Sequence, residues 1–403
     1  MGPRILACLA LLLSVEVSLS QSATTKTTAA TINPNLPVAY VYVSSSHYIH
    51  AYSAWADGKI TSITGSPFPF AGIRKMSVTS KFLFGTDGTN LNTYSIHSNG
   101  SISKVSSIKP GMYQSSGCLQ TGLGTQVDGS QTTLYYRGCS DGFNTDRYLS
   151  FHIQSDGSLQ FLGGSGGTFP SSTQGVQTDL TKMGGNVYAF DSYCDDDTDQ
   201  GTIQSFKRQS NGNLIFYGTT QGMPAAAPGS AFCMGPVAAD TSTHLAAAVF
   251  RIDSQPHDAG FIYGPSFLAS YSADATGNLS TTSNVNNMPL LPVASNNGVT
   301  AISISPDNKY VAVGGGANGF QVLHFNGGNP PTKFSGALLA GHSIIKFGWD
   351  KAGHLYVLSA VYGPGTYTTY LSVFHVTSSS VQKVSGYPKY LANSSNVIVR
   401  TLQ

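Results

Sequence analysis

Glutamate is all but missing from this chain: Glu16 is the only one in 403 residues. Beyond it, any general acid or base must be Asp, His, Tyr or Lys. Charge of either sign is scarce, at 10% of residues with a formal net charge of +2. Such a chain lacks the field needed to hold nucleic acid or an anionic membrane, so no nucleic-acid partner is expected. No segment is long and apolar enough to span a bilayer. The 5 cysteines include no C-x-x-C pair, which argues against a zinc site.

Turn-formers and aromatics are plentiful, with Gly 45, Tyr 21 and Phe 20. That balance describes short strands joined by tight loops, not amphipathic helices. Arg4, the apolar run Ile5 to Val15 and the small-x-small site Ser18-Leu19-Ser20 read as a cleaved export signal over residues 1–20. Ile5-Leu6-Ala7-Cys8 superficially matches a lipoprotein box but precedes the apolar run, which argues against lipidation. Residues 21–36 then form a flexible lead-in and 37–403 the folded domain, in a secreted or periplasmic protein. Cleavage leaves Cys118, Cys139, Cys194 and Cys233, an even number suited to disulfides. Cys118–Cys139 with Cys194–Cys233 is the favoured pairing; crossed pairing and free thiols stay open.

A repeat organises the domain. Around Tyr52, Tyr94, Phe151, Phe206, Tyr271, Leu323 and Phe374 an apolar residue stands three before and a turn-former five after. In the first five copies glycine follows the turn-former, as Gly58, Gly100, Gly157, Gly212 and Gly277. Asp-Gly or Asn-Gly between β-rich runs marks a hairpin, because such turns need φ > 0. Another apolar strand precedes each hairpin, and before most of these lies one more. Four strands recurring roughly every 50 to 55 residues are the blades of a β-propeller. The first unit lacks its first strand, while Asn396 to Leu402 is a spare one at the end. The expected fold is therefore an all-β, seven-bladed propeller of four-stranded antiparallel blades, closed by the C-terminal strand in the first blade.

Tyr40-Val41-Tyr42-Val43-Ser44, Ile49-His50-Ala51-Tyr52-Ser53, Asp57-Gly58-Lys59-Ile60 and Gly65-Ser66-Pro67-Phe68 closely resemble the lactonase-like seven-bladed propellers. Those are relatives of the 6-phosphogluconolactonase and surface-layer propeller groups. Ile304 to Val313 resembles the same family's strand-turn-strand element. The matching motifs are scaffold motifs; the resemblance implies the fold, and lactone hydrolysis as an activity to test. Gly341-His342 and Trp349-Asp350 mimic the two ends of a WD40 repeat, but stand too close for a blade to lie between them.

Strand alternation sends the tight hairpin turns and the first-to-second-strand turns to one end of the sheets. The longer second-to-third-strand loops and the sheet-to-sheet crossovers go to the other, where function is expected. Candidate ligand-binding residues there are Arg137, Asp191, Arg251, Asp253, His257 and His342, as arginine–aspartate pairs or histidines near the central channel. A salt bridge tying adjacent blades is the plainer reading of Arg137 and Arg251. Asp195, Asp196, Asp197 and Asp199 form the densest charge, a candidate Ca²⁺ loop or a solvated acidic loop. No other cofactor is implied. His50, His97, His152, His324 and His375 fall in third strands and read as structural. Gly163 to Gly167 matches G-x-S-x-G without the strand-to-helix turn that motif requires.

These readings favour an exported, monomeric binding or interaction propeller whose ligand is a small molecule, sugar or protein. The alternatives are a hydrolase acting on a non-phosphorylated lactone and a carbohydrate-binding module.

Overall fold

The Asn-Gly and Asp-Gly turns close hairpins in the computed structural model. Ile96 pairs with Ile102 across Asn99-Gly100, and Ile153 with Leu159 across Asp156-Gly157. Gly100 and Gly157 have φ of 81° and 85°, a region only glycine enters without strain. The register slips by one residue just before Tyr94, Phe151 and Phe206, three of the repeat's aromatic anchors. The extra residue of each bulge, Val105, Leu162 or Tyr217, lies in the fourth strand and bends that strand opposite the anchor. The structure describes residues 33–70, 72–113, 124–137, 148–165, 181–183, 188–195, 200–220, 224–228, 230–253, 262–274, 277–293, 298–363 and 366–402.

Among the described residues seven antiparallel sheets result, six of four strands and one of five. In edge-to-edge order the first comprises Ser394–Thr401, Ala39–Ser45, Ile49–Ala54 and Ile60–Ser62; the second, Lys75–Val78, Phe82–Thr86, Leu91–Ile96 and Ile102–Ile108. The third runs Gly124–Val127, Thr133–Arg137, Tyr148–Ile153 and Leu159–Ser165; the fourth, Thr181–Met183, Tyr188–Asp195, Gln200–Arg208 and Leu214–Thr220. The fifth has Ser230–Ala239, His244–Asp253, Ile262–Ala273 and Leu279–Ser280; the sixth, Ala301–Ile304, Tyr310–Gly314, Phe320–Asn326 and Asn329–Lys333. The seventh has Ser343–Trp349, His354–Gly363, Thr366–Val376 and Val381–Lys383. Its fifth strand, Lys389–Leu391, was not expected; it pairs with Thr369 to Leu371, covering an edge that the long third strand leaves open.

The last strand of the chain pairs with the first, Val397 opposite Val43 and Val399 opposite Val41. Packing between sheets is apolar on both faces, so Val41, Tyr42 and Val43 are all fully buried. One cluster joins Tyr40, Tyr42 and Ile49 of the first sheet to Leu83 and Tyr94 of the second. Another joins Val41 and Tyr52 of the first to Tyr356, Leu358 and Leu371 of the seventh. Within the lead-in, Asn33 to Leu36 form a turn in which Leu36 N–H donates to the Asn33 carbonyl at 3.2 Å.

The hairpin turn of one sheet also rests on the sheet before it. Tyr42 Oη donates to the Gly100 carbonyl at 2.9 Å, and Tyr135 Oη to the Gly212 carbonyl at 3.1 Å. Tyr310 Oη reaches the Thr377 carbonyl at 3.0 Å. A Cβ on Gly100 would stand 2.5 Å from Ile63 Cδ1, so glycine is needed there for space as well as for φ.

If the C-terminal strand is integral, Val397→Asp places a charge in a fully apolar cluster. The expected loss is about 3 kcal/mol or more, against about 1 kcal/mol for Ser395→Ala on the same strand, which removes only the hydroxyl's hydrogen bonds to Ser44, Ile73 and Arg74. Urea unfolding midpoints of the two variants check this.

Candidate functional site

Polar groups that the sequence reading passed over dominate the short-turn end. Asp350 follows the first strand of the seventh sheet and is buried, as is His354. Asp350 Oδ1 accepts the backbone N–H groups of Ala352 and His354, both at 2.9 Å. Its Oδ2 accepts His354 Nδ1 at 2.9 Å and Tyr356 Oη at 2.8 Å. Asp240 does the same for Ser242 and His244 in the fifth sheet, with His244 Nδ1 at 2.8 Å. In the third sheet Asp128 holds the N–H groups of Thr132 and Thr133 and pairs with Arg208 Nε at 3.1 Å. Ser305 and Thr79 fill the position with hydroxyls, accepting from Tyr310 and Phe82 N–H at 3.0 and 2.8 Å.

These groups resemble catalytic dyads but brace the scaffold. Each carboxylate spends its lone pairs on the turn that starts the second strand, and each histidine then packs against a neighbouring hairpin. His354 lies against Gly58, and His244 against Gly327. The spacing Asp-x-x-x-His at Asp240–His244 and Asp350–His354 was the available sequence signal.

The cavity where first strands meet is about 350 Å³, with lining residues from six of the seven sheets. Ser77, Gln126, Asp240, Ser303 and Lys346 are among them. The lining runs to the ends of those strands and into the turn at Asp240 and Thr241, so it belongs to the short-turn end. A second cavity of about 290 Å³ sits beside Tyr310, Trp349 and Asp350 at the same end. Its polar groups are engaged: Trp349 Nε1 donates to the Ser303 carbonyl at 3.4 Å, and Asp350 is saturated as described.

At the long-loop end the expected residues separate. Arg137 closes the second strand of the third sheet, where it is buried with its guanidinium 6.0 Å from the centre of the Tyr148 ring. Arg251 lies in the second strand of the fifth sheet, opposite Phe232 and half-buried. Asp191 is opposite Gln204 in the fourth sheet, and Asp253 opposite Ser230 and Ile262 in the fifth; for these two, and for Cys194 and Asp195, only the backbone is described. His257, Asp196, Asp197, Asp199, Cys118 and Cys139 lie outside the described residues. Among the described residues no three His, Cys, Asp or Glu side chains gather to hold a metal ion, and no helix is long and apolar enough to cross a membrane.

His342 immediately precedes the first strand of the seventh sheet. Its Nδ1 is 3.1 Å from Ser359 Oγ, and its ring meets Tyr370 edge-on at 5.5 Å. Burial, aided by the positive charge of Lys383, pushes its pKa below the ordinary 6.5. Tyr370, which the sequence reading did not single out, is the tyrosine beside it. Tyr362 and Tyr367, each three residues along its strand from Ser359 and Tyr370, are on the opposite face of the sheet. Tyr362, Tyr367 and Tyr390 are exposed, and Tyr370 is half-buried beside Tyr390. Cys233, in the first strand of the fifth sheet, is fully buried and disulfide-bonded. His97 lies one residue past its third strand, and Gly163 to Ser165 are in a fourth strand, with Gly166 and Gly167 outside the described residues.

No protein-family profile matches the chain, and no curated protein matches it. Solved structures do. The structure of U3-55K is 11% identical over 80% of this chain and 82% of its own, with a TM-score of 0.46. The WD40 repeats of RRP9 are 10% identical over 80% and 81%, with a TM-score of 0.45. Sqt1 of Saccharomyces cerevisiae is 13% identical over 88% and 84%, with a TM-score of 0.43. At such scores these likenesses carry no functional argument, and the lactonase-like resemblance rests on the residues quoted for it.

His342 is expected to titrate below 6.5 by NMR, and Lys383→Gln to raise its midpoint by removing a like charge. The linkage sign follows: the unfolded histidine binds its proton at higher pH than the folded one. The stability contribution is therefore intact above 6.5 and falls as pH drops toward the folded value. A midpoint at or above 6.5 contradicts this assignment.

Proposed function

We propose that this is an exported, seven-bladed propeller that binds a partner at its long-loop end and does not turn over a substrate. The ring reading draws on two observations: Val397 pairs with Val43, and a single apolar cluster joins the seventh sheet to the first. The observation that carries the binding reading is the second hairpin of the seventh sheet. Its strands, His354–Gly363 and Thr366–Val376, are 10 and 11 residues long, against 5 and 7 in the sixth sheet. Four or five extra residues project it roughly 15 Å farther, and it carries Tyr362 at 68% exposure. A rigid scaffold presenting exposed tyrosine is the ordinary anatomy of a recognition surface.

The hydrolase alternative needs Arg137 to face a substrate. Buried and packed on Tyr148, Arg137 suits the scaffold better. Export is supported by the apolar run Ile5 to Val15 and by the bonded state of Cys233, since disulfides persist in oxidising compartments. We assign Cys194 as the partner of Cys233. It stands one residue from the end of the second strand of the fourth sheet, at the end where the adjacent first strand of the fifth sheet begins.

Two measurements test this reading. The purified protein, with and without chelator, is expected to leave a panel of γ- and δ-lactones unhydrolysed; turnover lost on Arg137→Ala would favour the hydrolase. Peptide mapping without reductant is expected to recover Cys194 linked to Cys233. Recovery of Cys233 joined to Cys118 or Cys139, or as a free thiol, refutes the pairing.

A further inference from the structure

We infer that the cavity between the sixth and seventh sheets is a second ligand site, shaped for a small aromatic carboxylate. It lies at the short-turn end, away from the long-loop surface. Its origin is in the sequence. In the first five sheets five residues connect the third strand to the fourth; Ala54 faces Ile60 across one such connection, and Ile96 faces Ile102 across the next. In the seventh sheet Val376 faces Val381 across only four residues, Thr377 to Ser380, and none of them is glycine.

The consequence is a seam that does not close. Gly58, Gly100, Gly157 and Gly212 each bring a hairpin turn into close contact with the neighbouring sheet. The seventh turn keeps the hydrogen bond, Tyr310 Oη donating to the Thr377 carbonyl at 3.0 Å, but has no glycine to bring its backbone in. Beside it is the cavity of about 290 Å³, walled by Tyr310, Trp349 and Val376. All three are buried, while Pro306 and Lys351 are exposed and mark the mouth.

The walls select an aromatic body. Tyr310 donates its hydroxyl to Thr377, and Trp349 its indole N–H to the Ser303 carbonyl at 3.4 Å, so both offer the cavity ring surface. Water there finds few of the two to four polar partners it needs. An aromatic ring instead packs against these rings and removes their surface from solvent. The volume holds about ten groups of water's size, at roughly 30 Å³ each, which a phenyl ring with a short acid arm fills.

The mouth selects the charge. Asp350 accepts four hydrogen bonds from its own sheet. Asp307 accepts Ser305 Oγ at 2.6 Å and pairs with Lys309 Nζ at 3.5 Å. Lys351 has no hydrogen bond or ion pair among the described residues. A carboxylate on the ligand meets that ammonium as an opposite charge, whereas an amine meets it as a like one.

Fluorescence titration of the purified protein tests the inference, because the chain has only 2 tryptophans. In a Trp55→Phe background the remaining tryptophan emission comes from Trp349. Phenylacetate and phenylpropanoate are expected to change that emission saturably. Phenylacetamide should bind about fivefold more weakly than phenylacetate. Lys351→Gln should weaken phenylacetate by the same factor, while Lys351→Arg keeps wild-type affinity. Added salt should weaken the acid and leave the amide unchanged. Both Lys351 variants should melt with wild type, since the position is exposed. The inference is overturned if neither acid gives a saturable change, if phenethylamine binds as well as phenylacetate, or if Lys351→Gln binds the acid as tightly as wild type.

Discussion

The seating of each hairpin turn on the sheet before it is the contact on which the rest depends. Gly100 is pressed against Tyr40 and Ile63, Gly157 against Phe82 and Val105, Gly212 against Thr133 and Leu162, and Gly58 against His354 and Val384. A side chain at any of these positions would hold the sheets apart. Buried phenols add direction to the packing. Burial raises the Tyr42 and Tyr135 pKa values well above the ordinary 10, which keeps both hydroxyls protonated as donors to the carbonyls of the next turn. An apolar contact alone is non-directional; a hydroxyl donating to one particular carbonyl fixes the sheets in register.

This contact explains why the repeat is legible in the sequence. Glycine there answers two demands, positive φ and close approach, so few substitutions survive at it. The anchors Tyr94, Phe151 and Phe206 recur for a related reason, since each is buried in an apolar cluster shared with a neighbouring sheet. Where the turn is made differently, as at Gly327-Gly328 or Ser378 to Ser380, the strands still align because their apolar positions persist. The added strand Lys389–Leu391 escaped notice because it pairs through backbone groups with an overlong neighbour. Nothing in three residues of local pattern announces such pairing.

The candidate site was less legible, and for a physical reason. Charge draws attention in a chain so poor in it, yet a fold with few charges puts them to structural use. Asp128, Asp240 and Asp350 are consumed in starting second strands, and Arg208 in pairing with Asp128. Arg137, taken from the sequence for a ligand contact, is buried on Tyr148. Tyrosine gave a weaker signal: Tyr and Phe in the long loops suggested a carbohydrate-binding module but singled out no residue. With 21 of them, ten buried among the described residues, sequence pattern cannot separate Tyr42 from Tyr362. Only exposure separates them, and exposure depends on how far a hairpin outruns its neighbours.

The two ends of the sheets are thus built under opposite constraints. At the short-turn end every carboxylate discussed is engaged by its own turn, although the central cavity also presents the Ser77 and Thr125 hydroxyls, which make no hydrogen bond among the described residues. A group with its lone pairs committed to backbone N–H donors cannot take a proton from a substrate without undoing the turn that holds it. At the other end the seventh sheet lengthens and its aromatic rings leave the core. Exposed rings carry a desolvation gain that only a ligand can collect. The two ends differ accordingly: the turns that lock the sheets together are where Asp128, Asp240 and Asp350 are spent, while at the other end Tyr362 and Tyr390 stand exposed.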